Sequence, residues 1–456
     1  MLFVVAYGIL FVRQLYVQLI EGPKLAHDEH NPRAALLLPY RGRIVARDGT
    51  LLAYSSAHGR LYPLGPALAH AVGYASSRYG TSGLESAFNS ELSARPVAND
   101  PIAQVAGLFS GPKSVAARGA TVVTTIDPAV QRELYAALAA YPRGAGIALD
   151  PRTGEVLALA SVPSFDPGTI DTSFASLAQD PQSPLLDRAL DGLYPPGSTF
   201  KIFTAAAALD AGVVTMNSTF EDSGAYRVGA FLVHDNEGEA TGEQGLVGAF
   251  ALSSNVDFAQ IARQLGPDKW YDEATRWGFG QPVDFTLETS RDRLPARDAL
   301  APGILAQLGF GQADLLVTPM RMALVGSTIA SGGSEPRPFL VRAVRYADRD
   351  ETLGSAGTLA TPISADVAAE VRDLMIAVVR EGTGTAAALP DVQVAGKTGT
   401  ATNPAGRSHA WFVAFAPADA PRVAVAIVVE NAGYGGVVAA PIARRVIAAA
   451  LAHERS

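Results

Sequence analysis

A mixed α/β fold, with one sheet assembled from both ends of a large domain and covered by helices, is what the order of elements predicts. Strand-like runs stand near the start of that domain, at 146–148 and 156–160. Three more stand near its end, at 392–396, 411–415 and 423–429, and helical patterns fill most of 198–380 between them. Apolar strands separated in this way pair into one buried sheet with helices on its faces. The chain has 456 residues, 48% hydrophobic and 18% charged, which is ordinary globular composition with room for a sizeable core.

Composition also excludes. The net charge is −8 and no basic run is present, so a nucleic-acid partner has no electrostatic footprint. Cysteine is absent, which removes disulfides, thiolate metal sites and cysteine nucleophiles, although it does not fix the compartment. The seven histidines form no metal-ligand pattern, so neither a metal nor another cofactor is expected. Of the 36 basic residues only Lys24, Lys113, Lys201, Lys269 and Lys397 are lysines. A buried lysine can lose its proton and an arginine effectively cannot, which singles out lysines set in apolar surroundings.

In chain order, Leu2–Ile20 is predominantly apolar, with Arg13, Gln14 and Gln18 interrupting only its second half. It is long enough for one bilayer crossing and no small-residue cleavage site follows, so 1–20 reads as an uncleaved signal anchor. An amphipathic core or interfacial helix is the alternative. Residues 21–118 form a small mixed domain. Arg41–Val45, a turn at Asp48-Gly49 and Leu51–Tyr54 read as a hairpin, and a glycine-rich piece around Gly73–Glu85 opens a helix to about Leu92. The texture changes near Ala120, and 119–456 reads as the large domain. A strand is expected at Thr121–Thr125, and Asp127-Pro128 caps a helix through Leu138. Asp150–Gly154 turns between two strands, Thr318-Pro319 starts a helix that stops before Gly332-Gly333, and Pro441 starts the last helix, to about His453.

Three stretches carry chemistry. In Tyr194-Pro195-Pro196-Gly197-Ser198-Thr199-Phe200-Lys201, a rigid turn precedes an apolar helical run from Ile202 to Leu209. Ser198 therefore stands at or near a helix N-terminus, where free N–H groups favour negative charge, and Lys201 shares its face. Alone, that spacing also describes a serine cap beside a surface lysine. Ser110-Gly111-Pro112-Lys113 repeats it, but Gly-Pro disfavours a helix there. Ser253-Ser254-Asn255 falls at a turn between helical runs 246–252 and 256–265, where Ser and Asn are common for turn reasons alone. Gly396-Lys397-Thr398-Gly399-Thr400 ends a strand of alternating valines. A lysine in a central sheet needs a partner, unless it snorkels from an edge.

The order Ser198-x-x-Lys201, Ser253-x-Asn255, Lys397-Thr398-Gly399 resembles the penicillin-recognising serine enzymes, the penicillin-binding proteins and serine β-lactamases. Ile126-Asp127, Ala148–Gly154, Thr318–Met320, Gly382–Ala386, Ala395–Ala401 and Ala410–Phe412 are similar to landmarks of the penicillin-binding transpeptidase domain. Arg41–Ile44 with Gly49 and Leu52-Ala53 resembles the pedestal signature of the class B, monofunctional proteins, with Ala46 departing where many members carry Asp. Tyr79-Gly80 through Leu84-Glu85 fits the short penicillin-binding protein A type. Residues 21–118 are too few for the glycosyltransferase domain of bifunctional class A proteins.

The resemblance implies a penicillin-binding transpeptidase / serine β-lactamase-like fold, a mostly antiparallel central sheet covered by helices, with a small N-terminal pedestal. It implies peptidoglycan D,D-transpeptidation: Ser198 attacks the penultimate D-Ala carbonyl of a stem peptide, D-Ala leaves, and a neighbouring stem-peptide amine resolves the acyl-enzyme. β-Lactams would acylate Ser198. The chain would sit in the cytoplasmic membrane by a single pass with its catalytic domain outside, beside a SEDS-family glycosyltransferase partner. A D,D-carboxypeptidase, a β-lactamase with Glu243 as the nearest carboxylate before the second motif, and a non-enzymatic β-lactam sensor or scaffold are the alternatives.

A serine hydroxyl needs a base. A free lysine is neutral in only about one molecule in 2,500 at pH 7, and lowering its pKa to about 7 takes about 4.6 kcal/mol of environment. Burial beside Phe200 and Phe203, with Lys397 as a like charge, is the expected source, making Lys201 the base. The resemblance gives Ser253 the proton relay to the leaving D-Ala, and Asn255 the holding of Lys201 and the substrate amide. The N–H groups of Ser198 and Thr400 would form the oxyanion hole. Lys397, Thr398 and Thr400, with Gly399 between, would bind the terminal carboxylate.

Overall fold

The computed structural model describes residues 41–57, 59–93, 118–235, 240–403 and 406–453, with Arg13 ahead of them. Apart from Arg13, the expected anchor lies outside the described residues, as do Lys24 and Ser110–Lys113. The chain forms two compact units. One comprises 1–124, 165–179 and 341–353, and the other 125–164, 180–340 and 354–456.

The first unit is built on a six-stranded sheet. Its order is Asp350–Thr352, Val341–Arg345, Thr121–Thr124, Ile44–Val45, Leu51–Ser56, Gly59–Leu61. The expected hairpin forms with Ile44 opposite Ala53. Its turn is closed by Ala46 N–H on Thr50 O (2.9 Å) and opened to the left-handed region at Gly49, φ +86°. Within the same unit Glu85 is fully buried between Arg41 (2.5 Å) and Arg60 (2.7 Å). A buried carboxylate needs such partners, because an unpaired one would take up a proton or unfold its surroundings.

The second unit is a three-layer sandwich. Strands β1 (Gly144–Leu149), β2 (Val156–Val162), β3 (Ala395–Ala401), β4 (His409–Ala416) and β5 (Val423–Val429) form one antiparallel sheet in the order β3-β4-β5-β1-β2. The sheet is therefore assembled from both ends of the unit, as the sequence predicts. Side chains alternate across it. Phe412, Ala414, Val425 and Ile427 face α1 (Pro128–Leu138) and, further along the chain, the final helix Gly435–His453. On the other face runs the buried helix Pro319–Ala330, whose Gly326 lies where a Cβ would come 2.7 Å from Val413 Cγ1. Caps form where expected: Asp127 accepts from Ala129 N (2.9 Å) and Thr318 from Arg321 N (3.1 Å).

Four expectations need correcting. The strand Thr121–Thr124, expected to open the large domain, pairs instead with Ile44–Val45 and Val341–Arg345 in the sheet of the first unit. Helices do not fill most of 198–380 but less than half of it: loops and the short strands Thr219–Asp222, Ala225–Val228, Phe231–His234 and Gly242–Gly245 interrupt it. They are short and mostly exposed, so they lack the apolar runs that reveal core strands. The last helix begins at Gly435, and Pro441 lies inside it. A proline loses one N–H bond without ending a helix whose apolar face is already packed. Among the described residues this helix is long and apolar enough to cross a membrane, yet Ala439, Ala440, Ala443, Val446 and Ile447 are core residues of the sandwich. Finally, the Lys-Thr-Gly strand runs 395–401, so the motif lies within β3 rather than after it, and β3 is the edge of the sheet.

Candidate active site

Ser198 stands in a single 3-10 turn, Gly197–Phe200, that leads into α2 (Lys201–Asp210). The prolines are anchored by Trp411 Nε1–H on Pro195 O (3.0 Å), and Thr199 Oγ1 closes the turn on Pro196 O (2.7 Å). Tyr194 donates to Glu430 (2.8 Å), which also receives Arg188 (2.9 Å). Gly197 has φ +53°, and a Cβ there would lie 2.9 Å from Thr400 O, so only glycine lets the nucleophile turn rest against β3.

Lys201 heads α2 with its side chain fully buried. Its Nζ donates to Ser253 O and to Asn255 Oδ1 (2.9 Å), and stands 3.2 Å from Ser253 Oγ. The turn that supplies these oxygens joins α3 (Leu246–Leu252) to α4 (Asn255–Leu265), with Ser253 left-handed at φ +66°. A non-glycine residue held there stores strain, which functional turns commonly do. Lys397 Nζ, also fully buried, donates to the same Ser253 Oγ (2.8 Å) and to Thr398 O (3.2 Å). One hydroxyl therefore links two amines.

Two full positive charges on one oxygen in a dry site are unfavourable. Burial pulls the Lys201 amine down to about 7, against the opposing pull of Asp235, Asp257 and Asp222. Lys397 is lowered well below its ordinary range by burial and then by Lys201. Burial acts as expected, but the expected like charge acts in the other direction, from Lys201 on Lys397, and the groups that pull on Lys201 are aspartates. The ring over Lys201 is Phe258 (5.4 Å) rather than Phe200 or Phe203, which pack against Phe279 and, in the case of Phe203, Trp277. Phe250 covers Lys397 (5.6 Å).

Ser198, Asn255 and Thr400 open onto a cleft of about 590 Å³, further lined by Thr402, Arg407 and Tyr434. Lys201, Ser253 and Lys397 lie buried outside that lining, while Thr398 shares a 2.6 Å hydrogen bond with Thr383 Oγ1 and Gly399 packs under Thr199 and Pro196. Among the described residues no carboxylate lines the cleft. Glu243 is exposed on the strand opposite Glu221, and among the described residues no group of three or more His, Asp or Glu has metal-holding geometry. Sequence reasoning missed the three aspartates. Asp257 alone left a signal, as the acidic member of a Ser254-x-x-Asp257 helix start.

The profile of the "Penicillin binding protein transpeptidase domain" family matches residues 144–448, two thirds of the chain. The chain belongs to the penicillin-binding transpeptidase family. A second profile, "Penicillin binding protein A dimerisation domain", matches 41–117. The peptidoglycan D,D-transpeptidase PbpA of Mycolicibacterium smegmatis is 37% identical, over 97% of this chain and 96% of its own. That of Mycobacterium tuberculosis is 35% identical, over 98% and 96%. A ceftriaxone acyl-enzyme structure of M. tuberculosis penicillin-binding protein A superposes at TM-score 0.83 with 33% identity, covering 92% of this chain and all of that one. A D,D-transpeptidase domain from Eggerthella lenta gives 0.81 at 35%, covering 91% and 98%. This penicillin-binding transpeptidase keeps its two motif lysines in the protein interior and its serine at the cleft.

Proposed function

We propose that this chain is a class B peptidoglycan D,D-transpeptidase that works through a Ser198 acyl-enzyme, with an anchor at 1–20, a pedestal at 21–118 and the catalytic domain at 119–456. The carrying observation is the chain of contacts from Asn255 through Lys201 and Ser253 to Lys397, set against a cleft that exposes Ser198. Neutral Lys201 takes the Ser198 proton as Oγ attacks the penultimate D-Ala carbonyl carbon. The N–H groups of Ser198 and Thr400 hold the oxyanion. As the C–N bond breaks, the proton passes by way of Ser253 to the departing D-Ala nitrogen. Asn255 holds the Lys201 amine and the substrate amide, while Lys397, Thr398 and Thr400, with Gly399 between, receive the terminal carboxylate. The acceptor stem-peptide amine then attacks the ester carbonyl, and its proton passes to Lys201 and on to Ser198 Oγ as that oxygen leaves, which restores the serine hydroxyl and the neutral amine.

A cleft lined by no carboxylate among the described residues favours aminolysis over rapid hydrolysis, which tells against a β-lactamase. Membrane anchoring by one N-terminal span, with the catalytic domain outside, and a SEDS-family glycosyltransferase partner complete the proposal. The test is incubation with a fluorescent penicillin. A covalent adduct is expected on the native chain and not on Ser198→Ala; no adduct, or one that persists in the variant, overturns the assignment. Donor and acceptor stem peptides then give cross-linked dimer for a transpeptidase. Free D-Ala without dimer marks a carboxypeptidase, rapid loss of label a β-lactamase, and a lasting label without turnover a sensor.

A further inference from the structure

Asp235 follows the Phe231–His234 strand and reaches the second motif across twenty residues of sequence. Its Oδ1 accepts from the backbone N–H groups of Asn255 and, at 3.3 Å, Val256, and its Oδ2 from Ser254 Oγ (3.2 Å). The preceding carbonyl, His234 O, accepts from Asn255 Nδ2 (3.0 Å). Asn255 is thus held at its backbone and at its side-chain nitrogen, which leaves Oδ1 aimed at Lys201 Nζ. Helix α4 does not need this for its own start, because Ser254 Oγ already accepts from Asp257 N (3.0 Å).

We propose that Asp235 is a positioning residue for acylation: its carboxylate clamps the start of α4 so that Asn255 holds the Lys201 amine, and its charge sets the pH at which that amine accepts the Ser198 proton. The inference rests on the acyl-enzyme reading above. The groups around Asp235 are Asp222, from the Thr219–Asp222 strand, and Lys201 from α2. Around Lys201 stand Asp235, Asp257 from α4 and Asp222, with Lys397 from β3 across Ser253. Burial, then Asp222, raise the Asp235 carboxyl to about 6, so it is ionised at neutral pH and favours the protonated amine.

The test is the second-order rate of acylation by fluorescent penicillin from pH 5 to pH 9, for the native protein, Asp235→Asn and Asp235→Ala, each checked by circular dichroism. Removing the negative charge favours the neutral amine, so the acid midpoint of Asp235→Asn is expected about one pH unit lower. Asp235→Ala also loses the clamp, and its alkaline plateau is expected to fall ~10–100-fold, as misplacement of a reacting group does. Asp235→Asn, which keeps an acceptor for the Asn255 N–H, should recover most of that loss. An Asp235→Asn profile that superimposes on the native one overturns the proposal, as does a folded Asp235→Ala with an unchanged plateau. If the alanine variant does not fold, the midpoint of Asp235→Asn decides alone. No adduct on the native protein would instead overturn the acyl-enzyme reading.

Discussion

Lys201 can act as a base only in its neutral form, so acidification is a direct perturbation of the chemistry. With its amine at about 7, half the molecules carry a neutral Lys201 at pH 7. About one in ten do so at pH 6 and about one in a hundred at pH 5, against about one in 2,500 at pH 7 for a free lysine. Burial thus raises the active fraction about a thousandfold at neutral pH. The rate of acylation should fall about tenfold per pH unit below 7 and level off above 8. The assay is stopped-flow or gel-resolved labelling of the protein by a fluorescent penicillin at fixed ionic strength. A rate constant flat from pH 5 to 7 would refute Lys201 as the base, and a midpoint near 10 would refute burial as its activator. Stability carries the same signature. The folded-state pKa is depressed, so the favourable neutral form contributes fully above the unfolded value of about 10.5 and is lost as pH falls towards 7. Thermal stability should therefore rise with pH across that window, by at most ~1.4 kcal/mol per unit for this group, and Lys201→Met should make the slope shallower by that share, leaving the share of Lys397.

Ser253→Ala deletes the oxygen shared by both amines and should slow acylation ~10²–10⁴-fold with the fold retained; a rate within threefold of native would exclude the relay. Gly197→Ala forces a left-handed alanine, costing ~1–2 kcal/mol, and drives its Cβ into Thr400 O. Acylation should drop more than the melting temperature does, and an unchanged rate would mean that the turn and β3 move independently. Glu430→Gln keeps an acceptor for Tyr194 but leaves Arg188 without its carboxylate, a loss of ~1.5–3 kcal/mol readable in urea unfolding. Glu85→Ala strands two buried arginines and should cost ~3–5 kcal/mol, seen as an earlier calorimetric transition; no shift would show that the pair relaxes to water.

The sheet was legible because β1, β2, β4 and β5 are long apolar runs between clear turns. The nucleophile turn was legible because Pro195-Pro196-Gly197 allows few backbone paths. Ser253 and Asn255 could be placed at an inter-helix turn, since the helices on either side carry their own apolar periodicity. What surrounds the site was not legible. Asp222 and Asp235 lie on or beside short, mostly exposed strands whose pairing is fixed by tertiary contacts, and Phe258 meets Lys201 only through the crossing of α4 with α2. The boundary of β3 was missed because the valines before it resemble a strand more than Gly-Lys-Thr-Gly-Thr does. Backbone pairing with β4 overrides that propensity.

The scarcity of lysine has a consequence for observation. Lys201 and Lys397 are two of five lysines in the chain, and Lys269 is exposed. A sample enriched in ¹³C only at lysine Cε would give five side-chain resonances from a protein of this size. The two buried ones would be set apart by the aromatic rings above them. Which amine is neutral at rest, and whether the proton changes hands when Ser198 is acylated, then becomes a question of reading two chemical shifts.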